Sequence, residues 1–125
     1  MNKDIILLQF GTKSAVVLND GEYRQLKNIV SMKADVTREF LLKNNIPPFA
    51  EKLEMASKKS NICYFVIRNV DQVSLQMQDI YLGLIKDRVL NSYSLPKNAV
   101  IVLTVLNKQQ LNKLSKQLQR FCIVA

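Results

Sequence analysis

The sequence contains no histidine, only two cysteines and no long uninterrupted apolar run. Without histidine, the chain cannot form a Ser-His or Cys-His catalytic pair, a histidine general base or an imidazole metal site. No apolar stretch approaches the roughly 18 to 20 residues that a membrane-spanning helix needs. The amino terminus places Asp4 before a short apolar run and lacks the pattern of a secretory signal. We therefore expect a cytoplasmic protein that does not contact a membrane.

The two cysteines, Cys63 and Cys122, both lie in apolar segments that are typical of strands. Neither has another thiol nearby in the sequence, and a cytoplasmic compartment keeps thiols reduced. We therefore predict two buried, reduced cysteines and no structural disulfide.

The composition is that of a globular protein with a basic surface. The chain has 125 residues, of which 48% are hydrophobic and 22% are charged, so that one domain spanning residues 1–125 can bury a core. Eighteen basic and ten acidic side chains give a formal net charge of +8. A positive field attracts phosphates, acidic proteins or anionic lipids without selecting among them.

Short apolar segments predict the strands. Continuous apolar runs rich in branched and aromatic side chains are typical of strands that are buried on both faces of a sheet. The segment 12–18 is compatible with a strand or a helix, and 29–32 is a strand if the helix before it ends early. The remaining strands are predicted at residues 4–10, 62–67, 99–105 and 121–125.

Helical spacing and capping residues predict helices between these strands. Ser74 is a candidate N-cap, Pro48 suits a first helical turn, and Asp35 or Thr37 can cap a helix that ends near Lys43. The other helices are predicted over residues 22–30, 48–59, 74–90 and 109–119. This alternation predicts a three-layer α/β domain with a mainly parallel sheet of about five strands and right-handed crossovers.

From Pro48 onward, several short motifs follow one another in a recognisable order. They are Tyr64-Phe-Val-Ile67, Val70-Asp-Gln-Val73, Lys86-Asp-Arg-Val89, Leu95-Pro-Lys-Asn98, Val100-Ile-Val-Leu-Thr104 and Gln119-Arg-Phe121. In this order they resemble the core of the AAA+ branch of P-loop ATPases. The resemblance is greatest to MoxR-type members. Clamp-loader subunits, including ones that no longer bind nucleotide, are similar in less detail.

The resemblance implies a P-loop ATPase fold that lacks its catalytic residues. The family's acidic pair at the end of the first buried strand falls on Arg68 and Asn69, which cannot hold magnesium or orient the attacking water. The phosphate loop falls on a segment that ends in Lys13 and Ser14 and lacks some of the required glycines. The family's helical lid would begin after Ala125, so the resemblance is to a lidless core unless the chain is part of a longer protein.

Three further positions are implied by the same resemblance. Asn107 falls on the sensor position and Arg120 on the arginine finger, which could act in trans on a neighbour's nucleotide. The structural alternatives are a turn asparagine at a strand end and a surface arginine. Asp71 lies two residues beyond the missing acidic pair and points in a different direction from it.

The C-terminal third of the chain contains basic side chains but no acidic ones after Asp87. Such a surface can neutralise phosphates without reading a base sequence, and Lys113 and Lys116 are expected one turn apart on the last helix. No aromatic stacking residues accompany the lysines, so a solvated face is the alternative interpretation. The basic residues are Arg88, Lys97, Lys108, Lys113, Lys116 and Arg120.

These features predict a catalytically inactive AAA+-like binding module that needs no cofactor. Its partner would be a second copy of the chain, an active ATPase that Arg120 completes, or nucleic acid bound by the basic C-terminal third. The alternative is an enzyme of unusual site geometry that binds or hydrolyses ATP with Mg²⁺. Its nucleotide would be bound by Lys13, Ser14, Asp71 and Asn107.

Overall fold

The structure, a computed structural model, describes residues 15–35, 49–90 and 93–124. Its strands are β1 (Ala15–Asn19), β2 (Ile29–Lys33), β3 (Cys63–Arg68), β4 (Val89–Leu90), β5 (Tyr93–Ser94), β6 (Ala99–Val105) and β7 (Cys122–Val124). Its α-helices are α1 (Phe49–Lys59), α2 (Leu75–Asp87) and α3 (Lys116–Arg120). The strand predicted at 4–10 and the helix predicted to end near Lys43 lie outside the described residues.

Five strands form one parallel sheet in the order β2-β3-β6-β1-β7. This arrangement confirms the predicted mainly parallel sheet of about five strands. It also decides between the two interpretations of residues 12–18, because Ala15–Asn19 is the strand β1 at an interior position of the sheet. The short strands β4 and β5 form a separate antiparallel hairpin, of which β4 falls at the end of the helix predicted over residues 74–90 and β5 in a segment predicted as a loop.

Apolar side chains cover both faces of the sheet, because successive residues of a strand point to opposite sides. In β1, Ala15 and Val17 belong to one cluster and Val16 and Leu18 to the other. The first cluster contains residues of all three helices, whereas the second is closed by the segment that follows β1. Every residue of β6 is buried. The sheet is therefore a hydrophobic layer on which the polar groups at its ends are positioned.

The two longest helices begin where the sequence predicts, although α2 ends at Asp87, three residues before the predicted end, and its Leu75 is exposed. The Ser74 hydroxyl accepts a hydrogen bond from the Met77 amide at 3.2 Å and caps α2. Helix α1 buries Phe49, Leu53 and Ala56 at helical spacing. None of the helices in the described residues is long and apolar enough to cross a membrane.

The helix predicted over residues 22–30 is wrong. Only a 3-10 turn forms at Glu22–Gln25, and the chain then extends into β2, as the alternative interpretation predicted. Asn28 accounts for the break, since its φ of 62° is left-handed. Its side-chain amide donates to the carbonyl groups of Ala56 at 2.7 Å and Ile62 at 3.0 Å. These long-range bonds stabilise the turn in place of a helix.

The amphipathic helix predicted over residues 109–119 is also wrong, because it is divided in two. A 3-10 segment spans Lys108–Lys113, the chain becomes extended at Leu114, and α3 begins after its cap at Ser115. Gln78, buried in α2, donates to the Lys113 carbonyl group and accepts from the Ser115 amide. A side chain distant in sequence thus satisfies the backbone groups that the break releases.

Both cysteines have free thiols. Cys63 is buried, as predicted, whereas Cys122 is only partly exposed rather than buried. Burial raises the pKa of both thiols, that of Cys122 to about 12. Both are therefore protonated at neutral pH, and neither is a reactive thiolate.

Candidate functional site at the carboxyl end of the sheet

The order of the strands identifies one crevice where ligands bind in folds of this kind. After β1 the chain crosses to β2 on one side of the sheet, whereas after β6 it crosses to β7 on the other side. Because β1 and β6 are neighbours, their connections leave in opposite directions and open a crevice at their carboxyl ends. The residues at this switch point are the first candidates for a functional site.

In this structure the crevice is occupied by an ion pair within the chain. The Asp20 carboxylate, directly after β1, accepts hydrogen bonds from Arg68 Nε at 3.0 Å and Arg68 Nη2 at 2.9 Å. It also accepts one from the Thr104 hydroxyl of β6 at 3.0 Å. The Thr104 oxygen in turn accepts from the Asn69 amide at 3.0 Å. Three neighbouring strand ends are therefore joined by one carboxylate.

Two backbone N–H groups at the end of β1 are bonded within the chain and are therefore not available to a phosphate. The Asn19 amide donates to the Glu22 carboxylate at 2.9 Å, and the Asp20 amide donates to the Val105 carbonyl group at 2.8 Å. Gly21 has a φ of 99°, which allows the tight turn between them. A phosphate-binding loop needs converging backbone N–H groups. Here the first two N–H groups of the turn are already bonded within the chain.

The ion pair favours the charged form of both Asp20 and Arg68. Hydrogen bonding to the Arg68 guanidinium lowers the pKa of Asp20 below its ordinary value, although burial opposes the shift. The same bond raises the pKa of Arg68. The guanidinium carbon also lies 5.4 Å from the centre of the Tyr23 ring, within range of a cation–π interaction. Both groups remain charged at neutral pH and neutralise each other.

Arg68 and Asn69, the positions of the missing acidic pair, end β3 in this crevice. Asn69 adopts a left-handed φ of 60°, and its side-chain oxygen is buried without a hydrogen-bond partner among the described residues. A small depression of about 230 Å³ opens beside them and is also lined by Lys33 and Gln72. The two side chains therefore lie at the predicted place and contribute a cation and an amide to it.

Asp71 is buried, with 6% of its surface exposed, on a 3-10 turn between β3 and α2. Its two carboxylate oxygens both lie 3.3 Å from the Leu106 amide, and one accepts from the Gln72 side chain at 2.9 Å. These bonds join the ends of β3 and β6. Asp71 thus has a structural role in the described residues, close to the crevice but engaged with the backbone.

The remaining predicted residues do not converge on the crevice as one group. The Asn107 side chain accepts from the Gln109 amide at 3.0 Å and caps the 3-10 segment that follows β6. Arg120 is exposed at the end of α3. Lys13 and Ser14 lie outside the described residues. In the described part of the chain, no group of three or more Asp, Glu or Cys side chains is placed to hold a metal ion.

The predicted basic patch is smaller than the sequence indicates. Arg88 points inward, where its guanidinium donates to the carbonyl groups of Pro96 at 2.8 Å and Ala99 at 2.7 Å. The Lys113 and Lys116 side chains are exposed, but they lie on either side of the break before α3 rather than on one helix. Among the predicted patch residues whose side chains the structure describes, the exposed cations are Lys97, Lys113, Lys116 and Arg120, and the Lys108 side chain lies outside that description.

The sequence did not identify Asp20 and Thr104 as residues of the site. Asp20 directly follows a strand, and a polar residue at the carboxyl end of a parallel strand lies where ligands bind in folds of this kind. Thr104 is the polar residue of an otherwise apolar buried strand. Neither signal predicts the partner, because Asp20 and Arg68 are 48 residues apart in the sequence.

Comparisons with known proteins support the fold. No protein-family model matches the chain, and no curated protein matches it in sequence. Among solved structures, a DNA polymerase III gamma subunit-related protein from Thermotoga maritima matches with a TM-score of 0.58 and 11% sequence identity. The match covers 98% of this chain but 45% of the Thermotoga chain. The match shows the fold alone, a three-layer-like α/β fold with a mainly parallel five-stranded sheet, which confirms the predicted fold class.

Proposed function

We propose that this chain is a catalytically inactive, AAA+-like module that acts by binding other macromolecules. The observation that carries the proposal is the ion pair between Asp20 and Arg68 at the switch point of the sheet. A nucleotide bound there would bring phosphates towards the Asp20 carboxylate. The one cation of this ion pair, Arg68, is already neutralised by that carboxylate.

The residues that surround the ion pair support the same conclusion. Phosphoryl transfer requires carboxylate oxygens for Mg²⁺ and an acceptor that orients the attacking water. At the end of β3 the chain has Arg68 and Asn69 instead, and the nearby Asp71 carboxylate bonds to the backbone of Leu106. Replacing this network by a nucleotide would cost the hydrogen bonds that hold three strand ends together.

The test of the inactive state is a thermal titration with ATP and Mg²⁺. We expect no change in the unfolding midpoint at millimolar nucleotide, because only a ligand that binds the native state stabilises it. A ligand at 100 times its dissociation constant would add about 2.7 kcal/mol and would be seen easily. A rise in the midpoint would contradict the proposal, and loss of that rise in Lys13→Ala would favour the nucleotide-binding alternative.

The class of partner is proposed from the fold and the charge. The matching Thermotoga protein is described as related to a DNA polymerase subunit, which suggests a role in a protein–DNA assembly. The exposed cations Lys97, Lys113, Lys116 and Arg120 suit either phosphates or an acidic protein surface. We propose that the module contacts DNA through these cations, with a protein partner as the alternative.

A salt series distinguishes these partners. The logarithm of the DNA affinity is expected to fall linearly with the logarithm of the salt concentration, by about 0.9 for each phosphate contact. The double variant Lys113→Glu, Lys116→Glu is expected to reduce this slope by about two. Lys27→Glu, on the segment that covers the opposite face of the sheet, is the matched control and should leave the slope unchanged. A slope near zero in fluorescence anisotropy would exclude phosphate contact and leave a protein partner.

A further inference from the structure

Among the described residues, no strand covers the β2 edge of the sheet. The order of the strands places β2 at an edge, where it pairs with β3 and with no other strand of the described residues. In the parallel register, Tyr64 bonds to the backbone of Asn28 and Val30, so that the N–H and C=O groups of Ile29, Ser31 and Lys33 point away from β3. Such a row of backbone groups is a template for a further strand.

A groove runs beside this edge. Helix α1 packs along β2, and between them lies a groove of about 370 Å³. The described residues that line it include two lysines and no carboxylate; they are Asn28, Ile29, Val30, Ser31, Lys52, Met55, Ala56 and Lys59. Met55 is 61% exposed, although it is a large apolar side chain on a helix that is otherwise buried at its apolar positions. The groove thus combines an apolar centre with positive charge.

The spacing of the groove residues fits the repeat of a strand. Lys52 and Lys59 are seven residues apart, about 10 Å along α1, with Met55 between them. In an extended chain, residues on one face are about 6.7 Å apart, so that three alternate residues span about 13 Å. Long lysine side chains can bridge the small difference. An acidic, an apolar and a second acidic residue at alternate positions would therefore face Lys52, Met55 and Lys59.

We propose that an extended, acidic segment of a partner protein pairs with β2 and lies in this groove. Its backbone bonds to Ile29 and Ser31 supply affinity, and its acidic side chains meet Lys52 and Lys59. The charge disfavours pairing between two copies of this chain, because the lysines of each copy would approach those of the other. The inference concerns a surface away from the Asp20–Arg68 ion pair, so it stands whether or not nucleotide binds.

The probe is a fluorescent peptide with the pattern Thr-Glu-Thr-Val-Thr-Glu-Thr. We expect saturable binding with a Kd below about 1 mM by fluorescence anisotropy. A scrambled peptide of the same composition, and the same pattern with lysine in place of glutamate, should bind at least about tenfold more weakly. Equal binding of the scrambled peptide would overturn the proposal, because it would reflect net charge alone.

Variants of the groove distinguish the contribution of the backbone hydrogen bonds to peptide binding from that of the lysine charges. Ser31→Pro removes an N–H group that points to the open edge and not to β3, so the sheet keeps its own hydrogen bonds. This variant should raise the Kd of the peptide about tenfold, since it removes one backbone hydrogen bond and places a proline ring at the edge. The double variant Lys52→Glu, Lys59→Glu should also raise the Kd of the peptide about tenfold. Lys58→Glu, on the same helix but outside the lining, is the control and should change the Kd less than twofold.

Amide measurements complete the test. In the free protein, the amides of Ile29 and Ser31 should exchange rapidly with solvent and become protected when the peptide is added. Protection of these amides before the peptide is added would overturn the proposal, because the edge would then be occupied by the chain itself. Unchanged affinity in both groove variants would also overturn it. Far-ultraviolet circular dichroism verifies that each variant remains folded.

Discussion

Replacing Gln78 by alanine is expected to lower the free energy of unfolding by about 3 kcal/mol. Gln78 is 1% exposed, and its side-chain amide donates to the carbonyl groups of Val73 at 3.3 Å and Lys113 at 3.2 Å. Its side-chain oxygen accepts from the Ser115 amide at 2.7 Å. Alanine leaves these backbone groups without a partner, and each unsatisfied buried group costs about 1–3 kcal/mol.

Urea denaturation measures this effect, and the matched control is Gln76→Ala. Gln76 lies on the same helix but is exposed, so its replacement should change the free energy of unfolding by less than about 0.5 kcal/mol. Hydrogen exchange provides a local measurement, because the Ser115 amide should exchange faster in Gln78→Ala. Similar stabilities for the two variants would contradict the role that we assign to Gln78 at the break before α3.

Replacing Arg68 by methionine is expected to destabilise the protein by about 2 kcal/mol at neutral pH. Complete burial of the remaining charge would cost about 3–5 kcal/mol, and an exposed ion pair would contribute less than about 1 kcal/mol. The side chains of Arg68 and Asp20 are 25% and 20% exposed, between these limits. In the variant the Asp20 carboxylate keeps Thr104 as its side-chain donor.

The effect of Arg68→Met should depend on pH in a definite direction. Because the pKa of Asp20 is lowered in the folded protein, the ion pair stabilises the fold above the unfolded value, near pH 4. This contribution is lost as the pH falls through the lowered folded pKa. The difference between wild type and variant should therefore be largest at neutral pH and should shrink as acid protonates Asp20 in the folded protein. Lys27→Met, which removes an exposed cation of the same segment that does not contribute to the lowered pKa of Asp20, is the control, and a difference independent of pH would contradict the ion pair.

Much of the fold could be predicted from the sequence because its strands are continuous apolar runs. The segments at 62–67 and 99–105 become β3 and β6, two interior strands of the sheet, and alternation with helices implies parallel pairing. Helix α2 could also be predicted, because Ser74 is a local cap. The two wrongly predicted helices break where a side chain forms hydrogen bonds with backbone groups that are distant in the sequence. Asn28 ends the helix predicted over residues 22–30 and bonds to the backbone of α1. Gln78 divides the helix predicted over residues 109–119.

The candidate site could likewise be predicted from the sequence only in part. The sequence predicts that a cation and an amide, Arg68 and Asn69, lie at the end of a buried strand, since this depends only on the position of the strand. It does not predict that Arg68 pairs with Asp20, because the strand order brings together residues that are 48 positions apart. It also assigns Arg88 to the surface, whereas the carbonyl groups of Pro96 and Ala99 hold it inward.

The sequence by itself determined the class of fold, the boundaries of the main strands and the absence of an acidic pair after β3. Only the tertiary structure decided that Arg68 is neutralised, that the last predicted helix is broken and that β2 lies at an edge of the sheet in the described residues. The physical reason is the distance along the sequence over which each kind of interaction acts. Apolar periodicity and capping act within a few residues, whereas ion pairs and strand order depend on contacts that form only when the sheet assembles.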